Sequence, residues 1–338
     1  MYRNSKGPLA SLQQTVNISS SRVLRQLLII AVVIISWDQI VYGQTLNWSS
    51  PREYTPIQIG GQANGLGGVG VANWNNSMYI AYTDNSGNGD VWLTHTSDGV
   101  NFATPVQVTV TGSQTVYSAA NPSLAVFNNK LYIAWVDNFG DATFVSTSDG
   151  STFGSTLGLC TNGTAMNSPS LAAFDGYLYL GYRTTSSTYG NCRIATDNST
   201  QNSTYGYSVG ESPALGVFNN RLYVAYKDTG GDHYIYLLIS SDGSTFSQSS
   251  AATGSHTSTA CSIAVHHNVL YIGFRQNDSG DRFYYTYSTD GVNFSGPIEV
   301  HWTMGGPPAL VSSPSDLYLF NVFRQNDTGH YLFTAYGQ

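Results

Sequence analysis

The chain has 338 residues, of which only 10% are charged, against roughly 25% in an average globular chain, and it carries 24 tyrosines and 35 glycines. Its formal net charge is −7, and this shortage of cations excludes a nucleic-acid partner, because phosphate binding needs clustered Lys and Arg. Three cysteines with no short paired spacing exclude a zinc site built on cysteines, and no metal or cofactor is expected.

Residues 1–44 read as an export signal and flexible N-terminus. Arg22 and Arg25 precede an apolar run over 27–37, and Val41-Tyr42-Gly43-Gln44 offers small or aliphatic residues where a signal peptidase reads. The run is 11 residues long, short of the roughly 20 that span a bilayer. A cleaved signal is therefore expected rather than a retained anchor, with no stable membrane insertion afterwards and a secreted, cell-surface or periplasmic product. Setting aside Arg3, Lys6, Arg22, Arg25 and Asp38 leaves nine basic and nineteen acidic residues in a domain expected over 45–338.

Beyond the signal, two phrases recur. One is an aromatic strand: Met78-Tyr79-Ile80-Ala81-Tyr82, Leu131-Tyr132-Ile133-Ala134-Trp135, Leu178-Tyr179-Leu180-Gly181-Tyr182, Leu222-Tyr223-Val224-Ala225-Tyr226, Leu270-Tyr271-Ile272-Gly273-Phe274 and Leu317-Tyr318-Leu319. The other is a turn: Thr96-Ser97-Asp98-Gly99, Thr147-Ser148-Asp149-Gly150, Ser240-Ser241-Asp242-Gly243 and Ser288-Thr289-Asp290-Gly291, each followed three residues later by Phe. The strand tyrosines lie 53, 47, 44, 48 and 47 residues apart. A period in the forties with aromatic strands and Asp-Gly turns is that of a β-propeller, in which no blade buries both faces alone.

Each repeat reads as four strands. In the fourth, 213–218 is the first strand, Asn219-Asn220 the turn, 222–226 the second strand, 233–240 the third, and Asp242-Gly243 turns into the last. Asn-Asn and Asp-Gly suit such turns because both residue types tolerate positive φ. Continuous apolar runs such as Ser262-Ile263-Ala264-Val265 fit strands covered on both faces. The third repeat is degenerate, with Ala195-Thr196-Asp197-Asn198-Ser199 at the turn, and the sixth stops one strand short at Gln338. Asn47-Trp48-Ser49-Ser50-Pro51 has the build of Asn293-Phe294-Ser295-Gly296-Pro297 and is expected to supply the missing strand, which removes the open sheet edges. The expected fold is thus all-β, a six-bladed propeller of four-stranded antiparallel blades, its last blade closed by the N-terminal strand. Cys160 and Cys192, placed on the outer strands of consecutive repeats, are the expected disulfide, with Cys261 a buried single thiol.

The Ser/Thr-X-Asp-Gly-X-X-Phe turn resembles the Asp-box of the sialidase-like propellers, a superfamily that includes bacterial propeller lectins. Locally, the aspartate accepts hydrogen bonds from amides of its own turn and the glycine takes the left-handed conformation, so Asp98, Asp149, Asp242 and Asp290 are expected to be structural. The resemblance implies that these turns lie on the rim opposite the ligand face.

On that ligand face the ends of the second strands place Thr83, Val136, Arg183, Lys227, Arg275 and Arg324. The four cations are candidates for gripping a carboxylate or sugar hydroxyls; alternatively each pairs with an acid of its own loop, such as Arg275 with Asp278, and ties the loop down. Trp302, in a glycine-rich stretch before the last blade, is expected either to stack on a sugar or to pack over the axis. His266-His267 falls where a turn is expected and reads as a surface pair rather than a metal site.

Resemblance to catalytic sialidases implies three arginines on the substrate carboxylate, a tyrosine nucleophile activated by a glutamate, and an aspartate acid. Glu211, opening blade four, and the basic residue after its second strand are similar to the family's glutamate and second arginine, but that residue is Lys227. Arg275 and Arg324 match further carboxylate ligands; no Arg-Ile-Pro occurs near the start, and Arg52 in Pro51-Arg52-Glu53 does not match. The expected function is therefore an exported, lectin-like carbohydrate-binding propeller with glycans or glycoconjugates as partners. The alternatives are a sialidase-type glycoside hydrolase using Glu211, and a non-catalytic protein-binding or adhesion scaffold.

Overall fold

The backbone turns that delimit the strands follow directly from residue type. In the computed structural model, which describes residues 45–60, 67–110, 114–155, 160, 165–249, 255–326 and 328–338, the turn between first and second strands carries paired positive-φ residues: Asn75 and Asn76, Asn128 and Asn129, Asp175 and Gly176, Asn219 and Asn220, His267 and Asn268. These are the mirror-image two-residue turns whose twist matches a hairpin. The export signal expected over 1–44 lies outside the described residues.

Six antiparallel sheets follow in a ring as a six-bladed β-propeller. Blade 1 is Val69–Trp74, Ser77–Thr83, Val91–Thr96 and Val106–Gln107; blade 3 is Ala165–Phe174, Tyr177–Thr184, Thr188–Ile194 and Thr200–Ser208. Blade 4 is Ala214–Phe218, Arg221–Lys227, Ile235–Ser240 and Ser247–Gln248, and blade 5 is Ser262–His266, Val269–Arg275, Arg282–Ser288 and Ile298–Thr303. In blade 2 the ladder has three strands, Ser123–Phe127, Lys130–Val136 and Ala142–Thr147. Among the described residues its fourth is reduced to a bridge between Thr147 and Phe153.

Blade 6 joins both ends of the domain. Ala309–Ser312, Leu319–Arg324 and Tyr331–Gly337 are completed by Arg52–Gln58, which pairs antiparallel with Tyr331–Gly337 through Arg52↔Thr334 and Tyr54↔Leu332. Trp48 bridges Gly337 beside it. The N-terminal segment thus occupies the edge that the last sheet would otherwise leave open. One register differs from the sequence reading: in blade 6 the second strand aligns on Phe320, two residues beyond Tyr318, because Ser313–Leu317 forms a longer turn.

The two sequence phrases meet across the blade seams. A Cβ on Gly243 would run into Tyr179 of the preceding blade, one on Gly291 into Tyr223, one on Gly150 into Tyr79, and one on Gly99 into Phe320. Gly243 and Gly291 also have φ of +68° and +74°, so both conformation and space require glycine. Each box aspartate organises the turn it belongs to: Asp242 Oδ1 accepts from Ser244 N at 2.8 Å and Thr245 N at 2.7 Å, and Asp98, Asp149 and Asp290 repeat this. Those amide bonds hold all four carboxyls well below the ordinary carboxylate range.

Nearer the axis, serines tie neighbouring first strands. Ser123 Oγ accepts from Leu171 N at 3.0 Å, Ser170 Oγ from Leu215 N at 2.9 Å and Ser262 Oγ from Leu310 N at 2.8 Å. A second chain runs the other way, with Gly68 N donating to Asn121 Oδ1, Asn121 N to Ser168 Oγ and Ser168 N to Ser212 Oγ. All of these residues except Gly68 line an axial cavity of about 130 Å³. Cys160 and Cys192 form a disulfide with Cα atoms 5.6 Å apart. Cys192 stands on the third strand of blade 3, not its outer strand, while Cys160 N donates to Ala142 O of blade 2. Cys261 is buried, which pushes its thiol up to about 12.

Candidate functional site

The ends of the second strands hold their cations tightly. Arg183 donates from Nε to Val209 O at 2.9 Å and from Nη2 to Ser187 Oγ at 2.6 Å. Lys227 Nζ lies 3.8 Å from Glu211 Oε1, and Glu211 Oε2 also accepts from Asn167 Nδ2 at 3.3 Å. Arg275 pairs with Asp281 rather than with Asp278, and Asp281 in turn accepts from Asn326 Nδ2 at 2.9 Å. Arg324 is 6% exposed and donates to Gly305 O at 2.8 Å. Burial, with the charge of Arg324 second, lowers the Arg275 pKa, so these two guanidiniums feel one another across the blade 5–blade 6 seam.

Each of the four cations has a partner within the protein, and Arg275 pairs with an acid of its own loop, Asp281. Glu211 and Asn167 directly precede Ser212 and Ser168 in the chain, which places that polar pair beside the axial cavity. Trp302 belongs to the outer strand Ile298–Thr303, not to a loop. Its ring stacks on Phe283 and Phe323, both at 5.9 Å, and meets Trp48 edge-on at 5.4 Å. It packs the closing blade against its neighbour. The residues named from sequence are therefore distributed over blades 3 to 6, and only Glu211 with Lys227, and Arg275 with Arg324, come together.

A different place has the concavity. Between the closing strand Arg52–Gln58 and the loop after the second strand of blade 1 lies a groove of about 580 Å³. Gln58, Asp84, Asn85 and Ser86 line it with polar groups, and Tyr82 and Tyr331 with aromatic ones. Asp84 shapes its floor: Oδ1 accepts from Ser86 Oγ at 2.6 Å, and Oδ2 accepts from Trp92 Nε1 at 3.2 Å. Asp90 closes the same loop, its carbonyl accepting from Asp84 N at 3.2 Å. Its carboxyl is raised by burial first and by the charge of Asp84 second, and Asp90 Oδ1 is buried without a hydrogen-bond partner.

The groove is not legible along the chain because Tyr331 lies about 250 residues from Asp84, a separation that the antiparallel pairing of closing strand and C-terminal strand erases. The available signal was Thr83-Asp84-Asn85-Ser86, an Asp-Asn pair ending the second strand as Val136-Asp137-Asn138 does in blade 2.

The histidine pair departs from the expected surface placement. His266 is 2% exposed; burial first, then His267, pushes its pKa below the usual value. His267 occupies the positive-φ turn position, φ +49°.

No protein-family model matches this sequence, and no curated protein matches it. Solved structures do. Trypanosoma rangeli sialidase in complex with the inhibitor DANA superposes with a TM-score of 0.59 at 11% identity, over 86% of this chain and 60% of that one. The lectin SapL1 in complex with α-methyl fucoside gives 0.59 at 12% identity, over 84% and 95%. A mutant Aleuria aurantia lectin in complex with Fucα1-6GlcNAc gives 0.55 at 11% identity, over 80% and 94%. At such identities the likeness establishes the six-bladed propeller fold and nothing finer.

Proposed function

We propose that this chain is an exported, lectin-like carbohydrate-binding propeller and that the groove between its closing strand and blade 1 receives a sugar. The observation that carries the reading is the groove's chemistry: a carboxylate, two amides, a hydroxyl and two tyrosine rings converge on one open cleft. Planar polar groups match sugar hydroxyls, and an aromatic face covers the apolar side of a pyranose. Structural neighbours that are lectins bound to fucosides share the fold and favour the same reading.

A second reading, glycoside hydrolysis, has one specific observation in its favour. Asp90 holds its proton to higher pH, through burial first and the charge of Asp84 second, and a raised carboxyl beside a second carboxyl is the arrangement that glycosidases use. In the sialidase-type set, Lys227 pairs with Glu211, Arg275 with Asp281 and Arg324 with the Gly305 carbonyl.

One experiment separates the readings: a glycan array on the purified protein, with fluorogenic glycosides assayed in parallel. Binding that falls at least about tenfold in Asp84→Asn and Tyr331→Ala, without turnover, supports the lectin. Turnover lost in Asp90→Asn replaces it by the hydrolase. No glycan bound at all removes both and leaves a protein-binding scaffold.

A further inference from the structure

The six blades provide their own internal control, because equivalent positions can be read across them. The last residue of the first strand is Trp74, Phe127, Phe174 and Phe218 in blades 1 to 4, packed on Tyr79, Tyr132, Tyr179 and Tyr223 of the respective second strands. In blade 5 that residue is His266. The next position is Asn75, Asn128, Asp175 and Asn219, but His267 in blade 5. The residue before the aromatic position is Asn73, Val126, Ala173, Val217 and Val265 in blades 1 to 5, and blade 6 has Ser312 at the equivalent place, followed by a longer turn that delivers Asp316. The two histidines, Ser312 and Asp316 fall on one seam, between blades 5 and 6.

They also touch. His266 Nδ1 lies 2.9 Å from Ser312 Oγ and 3.0 Å from Asp316 Oδ1, and Ser312 Oγ donates to Asp316 Oδ1. Ligand-type atoms of His266, His267 and Asp316 all lie within 4.8 Å of one another; the two imidazoles stack at 4.0 Å, so the less buried His267 ring turns to aim a nitrogen at a shared ion. A tetrahedral ion with arms of about 2.0 Å sets its ligand atoms about 3.3 Å apart, close to the 3.0 Å between His266 Nδ1 and Asp316 Oδ1. Asp316 is 55% exposed on its side chain, so an ion has a path in.

The seam itself supplies a reason. Four seams are closed by an Asp-box glycine seated on the aromatic residue of the preceding blade. Blade 3 has no Asp-Gly in its turn, and the seam it shares with blade 2 carries the Cys160–Cys192 disulfide. Among the described residues, blade 6 shows no Asp-Gly box seated on the second strand of blade 5 either. Its seam with blade 5 carries the histidine cluster.

The geometry points to a divalent transition-metal site at this seam, with His266, His267 and Asp316 as ligands and Ser312 Oγ beside them, cross-linking blade 5 to blade 6 where the ring is closed. Two imidazoles and one carboxylate suit Zn²⁺ better than Ca²⁺ or Mg²⁺, which favour oxygen cages. The ion takes the place of the proton that His266 Nδ1 shares with the two oxygens. This site lies apart from the sugar groove and stands independently of the proposed function.

The test is titration of ZnCl₂ into the EDTA-dialysed full chain by calorimetry, with thermal unfolding in parallel. One Zn²⁺ per chain and a Tm that rises with Zn²⁺ are expected, with no response to Ca²⁺ or Mg²⁺. His267→Asn installs the residue that blades 1, 2 and 4 carry at this turn and so keeps the fold; it is expected to weaken Zn²⁺ binding at least about tenfold and abolish the Tm response. Asp316→Asn, in an exposed turn, is expected to do the same, while His301→Asn, an 85%-exposed histidine elsewhere, is expected to change nothing. No Zn²⁺ uptake by the unaltered chain, or uptake that survives both His267→Asn and Asp316→Asn, overturns the assignment.

Discussion

The seam between blades 4 and 5 and the seam between blades 5 and 6 are built from the same strands yet closed by different chemistry. At the first, Gly291 of the Asp-box sits on Tyr223, with Phe218 alongside. At the second the described residues show no box, and His266 reaches Ser312 and Asp316 instead. A repeat architecture is stabilised by nearest-neighbour interfaces, so a blade that loses the common clasp must be held by something else. The blade 2–blade 3 seam makes the same point, with the disulfide where the box is degenerate.

Acid tests that contrast most broadly. The four box carboxyls are lower in the folded chain than in the unfolded one, so the native state binds fewer protons. Their stabilisation is present above the unfolded value of about 3.9 and is lost as pH falls through the folded value. Equilibrium unfolding followed from pH 6 down to pH 2 is expected to show a steep loss of stability beginning near pH 4, and Asp242→Asn is expected to flatten it. An unchanged profile in that variant would break the link between boxes and seams.

Next in size comes the disulfide. Replacing Cys160 and Cys192 together by serine is expected to cost about 3 to 4 kcal/mol, as for a closed loop of this length, measured by urea unfolding. Hydrogen exchange should rise first at the blade 2–blade 3 seam and leave the boxed seams protected. Gly291→Val is expected to cost about 2 to 3 kcal/mol, because a β-branched residue must take a positive φ and displace Tyr223. A change below 1 kcal/mol would show that the boxed seam is softer than its contacts imply. The smallest effect sharpens the comparison nearer the axis: Ser170→Ala and Ser262→Ala each leave an amide of the next blade without its partner and are expected to cost about 1 kcal/mol apiece. Equal losses at the boxed and unboxed seams would show that the serine clasps act alone.

Much of this architecture was legible in the chain. Strand and turn are local properties, so aromatic runs, Asn-Asn pairs and Asp-Gly turns announced themselves at a fixed period, and the shortfall of one strand at Gln338 with a matching segment at Trp48 foretold the closing sheet. In the fold, the misplacements are of register: Tyr318 for Phe320, and an outer strand for the third in Cys192. In the site they are of partner. Nothing along the sequence says that Arg275 chooses Asp281 over Asp278, or that Trp302 finds Phe283, Phe323 and Trp48.

The sequence by itself determined the repeat, its strands and turns, and the place where the ring needed closing, because each rests on the conformational preferences of a few adjacent residues. Only the tertiary structure decided which side chains meet: the box glycines with tyrosines a blade away, Gln58 and Tyr331 with Asp84, and His266 with Asp316. Those encounters are set by the angle at which one blade packs on the next and by the pairing of distant strands, and no local pattern encodes either.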